Sequence, residues 1–77
     1  MRFQAELTDT FGGNANYSWV KRVSFEAPDN AKTSLLVRRA KRALGLMGKH
    51  RTYDFGTEIH LSFGRDCIVA FITPEIA

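Results

Sequence analysis

Residues 27–49 read APDNAKTSLLVRRAKRALGLMGK, and this stretch decides the fold because it separates two groups of strand-like segments. Pro28 lacks a backbone donor and breaks any strand that reaches it. Asp29 and Asn30 supply side-chain oxygens of the kind that accept hydrogen bonds from the first free amides of a helix. The stretch therefore predicts a strand break, an amino-terminal cap and the start of a helix near Ala31.

The helix is predicted to run from Ala31 to Met47 and to be capped by Gly48, since glycine readily adopts the left-handed conformation of a carboxyl-terminal cap. An earlier end at Gly45 is the alternative, although an interior glycine costs a helix only about 1 kcal/mol. At about 100° per residue, one arc of the helix is apolar and predicts a buried face, while the opposite arc is mostly basic. The apolar arc contains Leu36, Ala40, Ala43, Leu44 and Met47.

Two strands are predicted before the helix. Polar and apolar side chains alternate from Arg2 to Thr8, which is the period-two pattern of a strand with one buried face. Residues 9–16 are rich in glycine, asparagine and aspartate, which predicts a long and mobile hairpin loop. The second strand is predicted from Tyr17 to Glu26, with a bulge near Lys21 because that lysine falls on an otherwise apolar face.

Two further strands are predicted after the helix. The alternation from Thr52 to Phe63 is the clearest in the chain, and Cys67 to Thr73 is a continuous apolar run that ends at Pro74. The predicted order is ββαββ, an α+β fold in which a four-stranded antiparallel sheet carries one amphipathic helix on one face. The predicted core consists of Phe3, Leu7, Trp19, Phe25, Leu36, Ala40, Leu44, Phe55, Ile59, Leu61 and Phe63.

The length and composition are those of one small globular domain, residues 1–77. A lone cysteine, Cys67, has no partner for an internal disulfide, which indicates a reducing compartment. The sequence contains no apolar stretch long enough for a signal peptide or a membrane span. We therefore expect a cytoplasmic protein that does not enter a membrane.

Charge is unevenly distributed along the chain. Between Asn30 and Tyr53 there are seven basic residues and no acidic one, a charge of +7, whereas the remainder holds four basic and eight acidic residues, a charge of −4. Such a cluster attracts polyanions, because each phosphate that is neutralised releases condensed counterions. The candidate residues for binding nucleic acid or a partner are Arg38, Arg39, Lys41, Arg42, Lys49 and Arg51. Two other interpretations stay open: a solvated outer helix face, and a surface for an acidic protein partner.

Known nucleic-acid-binding motifs are not evident. The basic helix is not preceded by a second helix, as a helix-turn-helix requires, and the paired ligands of a zinc finger are missing. The predicted order differs from that of an RNA-recognition fold, and the long strand after the helix lacks the basic and aromatic pattern used there for base stacking. If nucleic acid binds, contacts to phosphates are expected to dominate.

The last strand predicts a second interface. Its apolar side chains form two alternating sets, of which one must point away from the helix-covered core. An exposed apolar strip is typical of a partner surface or a dimer seam, so a homodimer is one expected form. The candidate residues are Ile68, Ala70 and Ile72. The alternative is a short strip that stays in contact with water among polar neighbours.

Few residues are arranged for chemistry. Asp54, Glu58 and His60 share one face of the predicted strand, but no further ligand completes a known metal-binding spacing. Cys67 and His50 would act as nucleophile and base only if the thiol were accessible, and a cysteine that starts an apolar strand is typically buried. We therefore predict no catalytic residue, no metal and no cofactor.

The sequence thus predicts a small non-enzymatic binding module that contacts DNA or RNA phosphates through its basic helix. The alternative is a protein-interaction or inhibitor module that binds an acidic protein partner or dimerises through the open sheet face. In length and charge alone, the chain is similar to small accessory proteins of phages and mobile elements, an analogy that does not by itself establish function.

Overall fold

The computed structural model describes residues 1–75 and shows one helix and five strands there. In chain order they are β1 (Arg2–Phe11), β2 (Asn14–Glu26), α1 (Thr33–Leu44), β3 (Arg51–Asp54), β4 (Ile59–Phe63) and β5 (Ile68–Pro74). The strands form one sheet in the order β2-β1-β5-β4-β3, and every neighbouring pair is antiparallel. The predicted α+β class is confirmed, whereas the predicted four strands and the order ββαββ are wrong in detail because the order is ββαβββ.

The additional strand arises within the segment from Thr52 to Phe63, for which the sequence predicts one continuous strand. Gly56 has a φ of +86°, and its N–H donates to the Asp54 carboxylate at 2.8 Å. The N–H of Phe55 donates to the carbonyl of Glu58 at 2.9 Å. This turn reverses the chain, and β3 and β4 pair as a hairpin. Apolar residues occupy odd-numbered positions both before and after the turn, so periodicity alone does not reveal it, although the turn places Tyr53 and Ile59 on opposite faces of the sheet.

β1 and β2 are joined by a two-residue turn instead of the predicted long loop over residues 9–16. Gly12 and Gly13 have φ angles of +63° and +86°, the sign that a type I′ hairpin turn requires at both central residues. Phe11 pairs with Asn14 across this turn. Because glycine adopts positive φ without steric cost, both strands extend farther toward the turn than their alternation predicts.

The irregularity in the β1–β2 pair does not lie near Lys21, where the sequence predicts a bulge. The register shifts between Thr8 and Thr10, where residues 16–19 of β2 bulge opposite Asp9. Extra residues in one strand of an antiparallel pair bend that strand and redirect its side chains. The bulge therefore separates the outer part of the hairpin from the part that covers the core.

The Asp9 carboxylate stabilises this bulge. It accepts hydrogen bonds from the Ser18 hydroxyl at 2.6 Å, from the Asn16 side-chain amide at 3.0 Å and from the Ser18 backbone N–H at 2.9 Å. These hydrogen bonds favour the ionised carboxylate and lower the pKa of Asp9 to about 2. Tyr17, between the two donor residues, has a φ of +56°.

Lys21 stays on the side of β2 that faces the helix, opposite Leu7 of β1. Its ammonium group donates to the Leu44 carbonyl at 3.3 Å. The last carbonyls of a helix lack intrahelical partners and carry partial negative charge, so a lysine is favourable there. The lysine therefore fits the face on which Val23 and Phe25 pack against the core, and no bulge is needed to remove it.

The helix is shorter than predicted at both ends. Lys32 occupies the amino-terminal cap position without a side-chain hydrogen bond, so neither Asp29 nor Asn30 serves as the predicted cap. Gly45 has a φ of +72° and ends the helix, which makes the earlier of the two predicted ends the observed one. Met47 is consequently exposed instead of buried. Within residues 1–75, no helix is both long and apolar enough to cross a membrane.

The core lies between the helix and one face of the sheet. Its buried apolar residues are Phe3, Ala5, Leu7, Ala27, Leu36, Val37, Ala40, Leu44, Ile59, Leu61, Phe63, Ala70 and Ile72. Two residues predicted to belong to it, Trp19 and Phe55, are 45% and 60% exposed. Trp19 lies in the β2 bulge and Phe55 in the β3–β4 turn, and both segments depart from the regular strand pattern on which the prediction rests. On the helix, Ala43 is exposed, whereas Val37 is buried.

Candidate nucleic-acid interface

Arg38 and Arg42 project from the exposed side of α1, as the amphipathic pattern predicts. Residues four apart lie on the same side of a helix, so the two guanidinium groups are neighbours. The opposite side of the same helix buries Leu36 and Ala40 against the sheet. The helix therefore presents two adjacent arginines to solvent because its other face is held in the core.

Arg39 differs from Arg38 and Arg42 in having a hydrogen bond to the sheet. Its Nη1 donates to the Glu26 carbonyl at 2.7 Å, at the end of β2. This hydrogen bond fastens the helix to the edge strand of the sheet. Arg39 is exposed, but one of its guanidinium donors already has a structural partner, so we do not include it in the candidate interface.

Lys41 connects the helix to the segment that follows it. Its Nζ donates to the Gly48 carbonyl at 3.3 Å and lies 3.4 Å from Nδ1 of His50. The His50 ring in turn packs against Phe63 of β4, with ring centroids 5.1 Å apart. These contacts hold the segment before β3 against the carboxyl-terminal half of the helix, so the two predicted basic regions adjoin each other.

A groove of about 1060 Å³ lies beyond this contact, between the start of β3 and the β4–β5 turn. Three basic side chains line it: Lys49, Arg51 and Arg65. Tyr53, Ser62 and Asp66 are also among its lining residues. Lys49 and Arg51 belong to the predicted set, whereas Arg65 does not. We refer to this depression as the basic groove.

The charge pattern does not predict Arg65 as a binding residue, because Arg65 lies in the part of the chain whose net charge is negative. The β4–β5 turn brings it to the groove, since β4 pairs with β3 on one side and with β5 on the other. A short Gly64-Arg65-Asp66 turn is visible in the sequence, but its neighbours depend on the order of strands. That order is decided by tertiary pairing.

Five exposed basic residues have no carboxylate close enough for an ion pair among residues 1–75, although Asp66 lines the same groove as three of them. Among residues 1–75, every ion pair involves the amino terminus, Arg2, Arg22 or His60. The groups without a carboxylate oxygen within 4 Å in that part of the chain include Arg38, Arg42, Lys49, Arg51 and Arg65. We call these five residues the basic surface. All five are exposed, so their charge is available to a polyanion.

The proposed second interface on β5 is corrected by the structure. Ala70 and Ile72 are buried and Ile68 is partly buried, because this set faces the helix. The alternating set Val69, Phe71 and Thr73 lies on the open face of the sheet. The apolar run is compatible with either orientation, and only the pairing of β5 with β1 and β4 selects one.

The candidate metal ligands Asp54, Glu58 and His60 do not come together in the structure. Nε2 of His60 lies 2.9 Å from Oε1 of Glu58, but the Asp54 carboxylate accepts a hydrogen bond from the Thr33 hydroxyl on the helix side. That bond, with the one from the Gly56 N–H, lowers the pKa of Asp54. Within residues 1–75 there is no group of three or more His, Cys, Asp or Glu residues placed to hold a metal.

Cys67 is exposed in the β4–β5 turn with a φ of +55°, whereas the sequence predicts it to be buried at the start of a strand. β5 begins one residue later, at Ile68. His50, the base that the sequence pairs with this thiol, contacts Lys41 and Phe63 instead. The described contacts therefore do not assemble this pair.

Comparison with known proteins yields no match for this chain among protein-family models, curated proteins or solved structures. The candidate interface is accordingly defined by its own charges and contacts. It consists of the basic surface, with Arg38 and Arg42 on the exposed side of α1 and Lys49, Arg51 and Arg65 at the basic groove next to β3.

Proposed function

We propose that this protein is a non-enzymatic module that binds nucleic acid by contacting phosphates with the basic surface. The observation that carries this proposal is the set of five exposed cationic side chains without a carboxylate oxygen within 4 Å among residues 1–75, two of them on α1 and three around the basic groove. Four of the five are arginines, whose planar guanidinium groups match phosphate oxygens in a bidentate manner.

The physical consequence is a steep dependence of affinity on salt. A contact to a single strand contributes about −0.7 to the slope of log K against log salt and a contact to duplex DNA about −0.9, so four duplex contacts give a slope of about −3.6. Between 50 and 200 mM salt the affinity would then fall about 150-fold. A surface that binds through apolar contacts would show a much smaller change.

Fluorescence anisotropy with labelled DNA and RNA over this salt range tests the proposal. Two double variants, Arg38→Gln with Arg42→Gln and Lys49→Gln with Arg51→Gln, each remove two charges. If both residues of a pair contact phosphates, we expect the slope to fall by about 2 and the affinity at 100 mM salt to fall about 60-fold. The two variants separate the contribution of the helix from that of the basic groove.

The matched control is Lys32→Gln with Arg2→Gln, which removes the same charge from outside the basic surface. Lys32 lies at the other end of the helix, and Arg2 at the start of β1 is paired with Glu26. We expect less than about a threefold effect, because general electrostatic attraction changes little when no contact is lost. An equal loss of affinity in the control and in the two test variants would contradict a defined interface.

A protein-interaction module is the second candidate, and the β1–β2 hairpin favours it. Phe11 is 79% exposed near the turn, and Tyr17 and Trp19 in the bulge are also exposed. Aromatic side chains are enriched in protein interfaces and often supply much of the binding energy. An acidic partner that is retained at about 500 mM salt, and is lost with Trp19→Ala but not with Arg38→Gln and Arg42→Gln, would favour this function.

A further inference from the structure

We infer that the nucleic acid is single-stranded and that its bases stack on a row of rings on the open face of the sheet, beginning at Tyr53. This inference rests on the proposed function, because the basic groove next to Tyr53 would hold the phosphates. It adds which form of nucleic acid is bound and which residue recognises that form.

The row of rings crosses three neighbouring strands. Tyr53 of β3 pairs with His60 of β4, and His60 pairs with Phe71 of β5, so all three side chains lie on the same face. The rings of His60 and Phe71 meet edge to face, with centroids 4.7 Å apart. The Phe55 ring also contacts the His60 ring, with centroids 4.7 Å apart. Ring contacts therefore order His60 and Phe71, while strand pairing places Tyr53 beside His60 on the same face.

Tyr53 is the exposed end of this row. Its side chain is 45% exposed and lines the basic groove together with Arg51, two residues earlier on the same strand. Side chains two apart on a strand share a face at a separation of about 7 Å. A cationic group and an aromatic ring thus stand side by side, the combination that binds phosphate and base of a single strand.

In the sequence, Arg51 and Tyr53 are two residues apart, but this spacing alone does not indicate a base-stacking site. β3 is a separate edge strand of only four residues, and its role becomes visible once the turn at Gly56 divides it from β4. The ring row and the basic groove are then on one face, which the continuous strand predicted from Thr52 to Phe63 does not reveal.

A second, smaller cavity of about 280 Å³ continues the path on the other side of His60. Tyr17 from the β2 bulge lines it together with Phe71, and Gln4 and Thr73 provide hydrogen-bonding groups. From Tyr53 to Phe71 the path crosses two strand spacings, about 10 Å, enough for about two bases in sheet-face recognition of this kind.

Two carboxylates border this second cavity, and both have positive or hydrogen-bonding partners. Glu6 pairs with Arg22 at 2.8 Å, and Glu58 lies 2.9 Å from the His60 ring. The phosphates are therefore expected to follow the basic groove, while the bases point toward the rings. In a duplex the bases are already stacked on one another, so their faces are not available to Tyr53.

The test compares binding of a single-stranded oligonucleotide of about 12 nucleotides with binding of the duplex of the same sequence, for the natural protein and for Tyr53→Ala. Removing one stacked base contact should weaken single-strand binding about 5- to 150-fold and have a much smaller effect on duplex binding. Tyr53→Phe should retain single-strand binding because the ring is kept. Phe11→Ala, an equally drastic change at another exposed ring, is the matched control and should have no effect.

The outcomes distinguish this inference from the proposed function. Salt-dependent binding that is equal for single strand and duplex, and insensitive to Tyr53→Ala, would overturn the inference and leave phosphate binding intact. Absence of binding to either form at about 50 mM salt would overturn the proposed function and the inference together. Unchanged far-UV circular dichroism of Tyr53→Ala excludes unfolding as the cause of lost binding, and Tyr53→Phe provides the second readout.

Discussion

Ile72→Ala is the most direct test of which face of β5 is covered by the helix. Ile72 is 1% exposed and pairs with Ala5 of β1 and Ile59 of β4 on the helix side of the sheet. The substitution removes three carbon atoms, worth about 2.4 kcal/mol in transfer alone, and leaves a cavity that brings the expected cost to about 3 to 4 kcal/mol. A chain of this length has a free energy of unfolding of about 4 to 12 kcal/mol, so the loss would be a large part of it.

Urea unfolding followed by far-UV circular dichroism measures this loss. With a slope of about 1 kcal/mol per molar urea, the midpoint should fall by about 3 M, or the variant should be unfolded without urea. Val69→Ala is the matched control on the open face, opposite Thr8 and Ser62, and should cost less than about 1 kcal/mol. If Val69→Ala lowers the free energy of unfolding as much as Ile72→Ala does, with an unchanged dependence on urea concentration, the assignment of the faces of β5 is wrong.

Two further predictions concern the β2 bulge and the glycine that ends the helix. The lowered pKa of Asp9, about 2 against an ordinary value near 3.8, means that its ionised form stabilises the fold above pH 4 and that this contribution disappears as the pH falls through 3.8 toward 2. The melting temperature of Asp9→Asn should therefore fall less than that of the natural protein as the pH is lowered from 5 to 2. An equal fall in both proteins would refute the role of Asp9. Gly45→Ala should destabilise by about 1 kcal/mol because its φ is +72°, whereas Gly64→Ala, without a positive φ, should be nearly neutral in the same thermal melts.

Several features of the fold follow from local chemistry and are visible in the sequence. The alternation from Arg2 to Thr8 places Phe3, Ala5 and Leu7 on the buried face, because side chains of a strand alternate whatever the strand pairs with. The 3.6-residue period of the helix likewise separates Arg38 and Arg42 from the buried face, because a helix with one apolar side must cover it. These assignments depend only on the geometry of one element at a time.

The candidate interface could be predicted only in part for the same reason. Arg38, Arg42, Lys49 and Arg51 were within reach of sequence reasoning, because they lie close together along the chain in a segment without acidic residues. Arg65 could not be predicted in this way, because it is far from Lys49 along the sequence. The pairing of β3 with β4 brings the two residues to the same groove. The structural contact of Arg39 with Glu26 depends on how the helix packs across β2.

The sequence by itself determined the α+β class, the presence of one amphipathic helix and the segregation of positive charge, because each depends on residues that are near one another along the chain. Tertiary structure decided which strands pair on each side of β4, the face of β5 that meets the helix and the position of Arg65 beside the basic groove. Apolar residues keep odd-numbered positions on both sides of the turn although Tyr53 and Ile59 lie on opposite faces of the sheet, and an apolar strand fits a core with either face. Only the competition among long-range strand pairings selects one arrangement, and it places the rings of Tyr53, His60 and Phe71 in a single row.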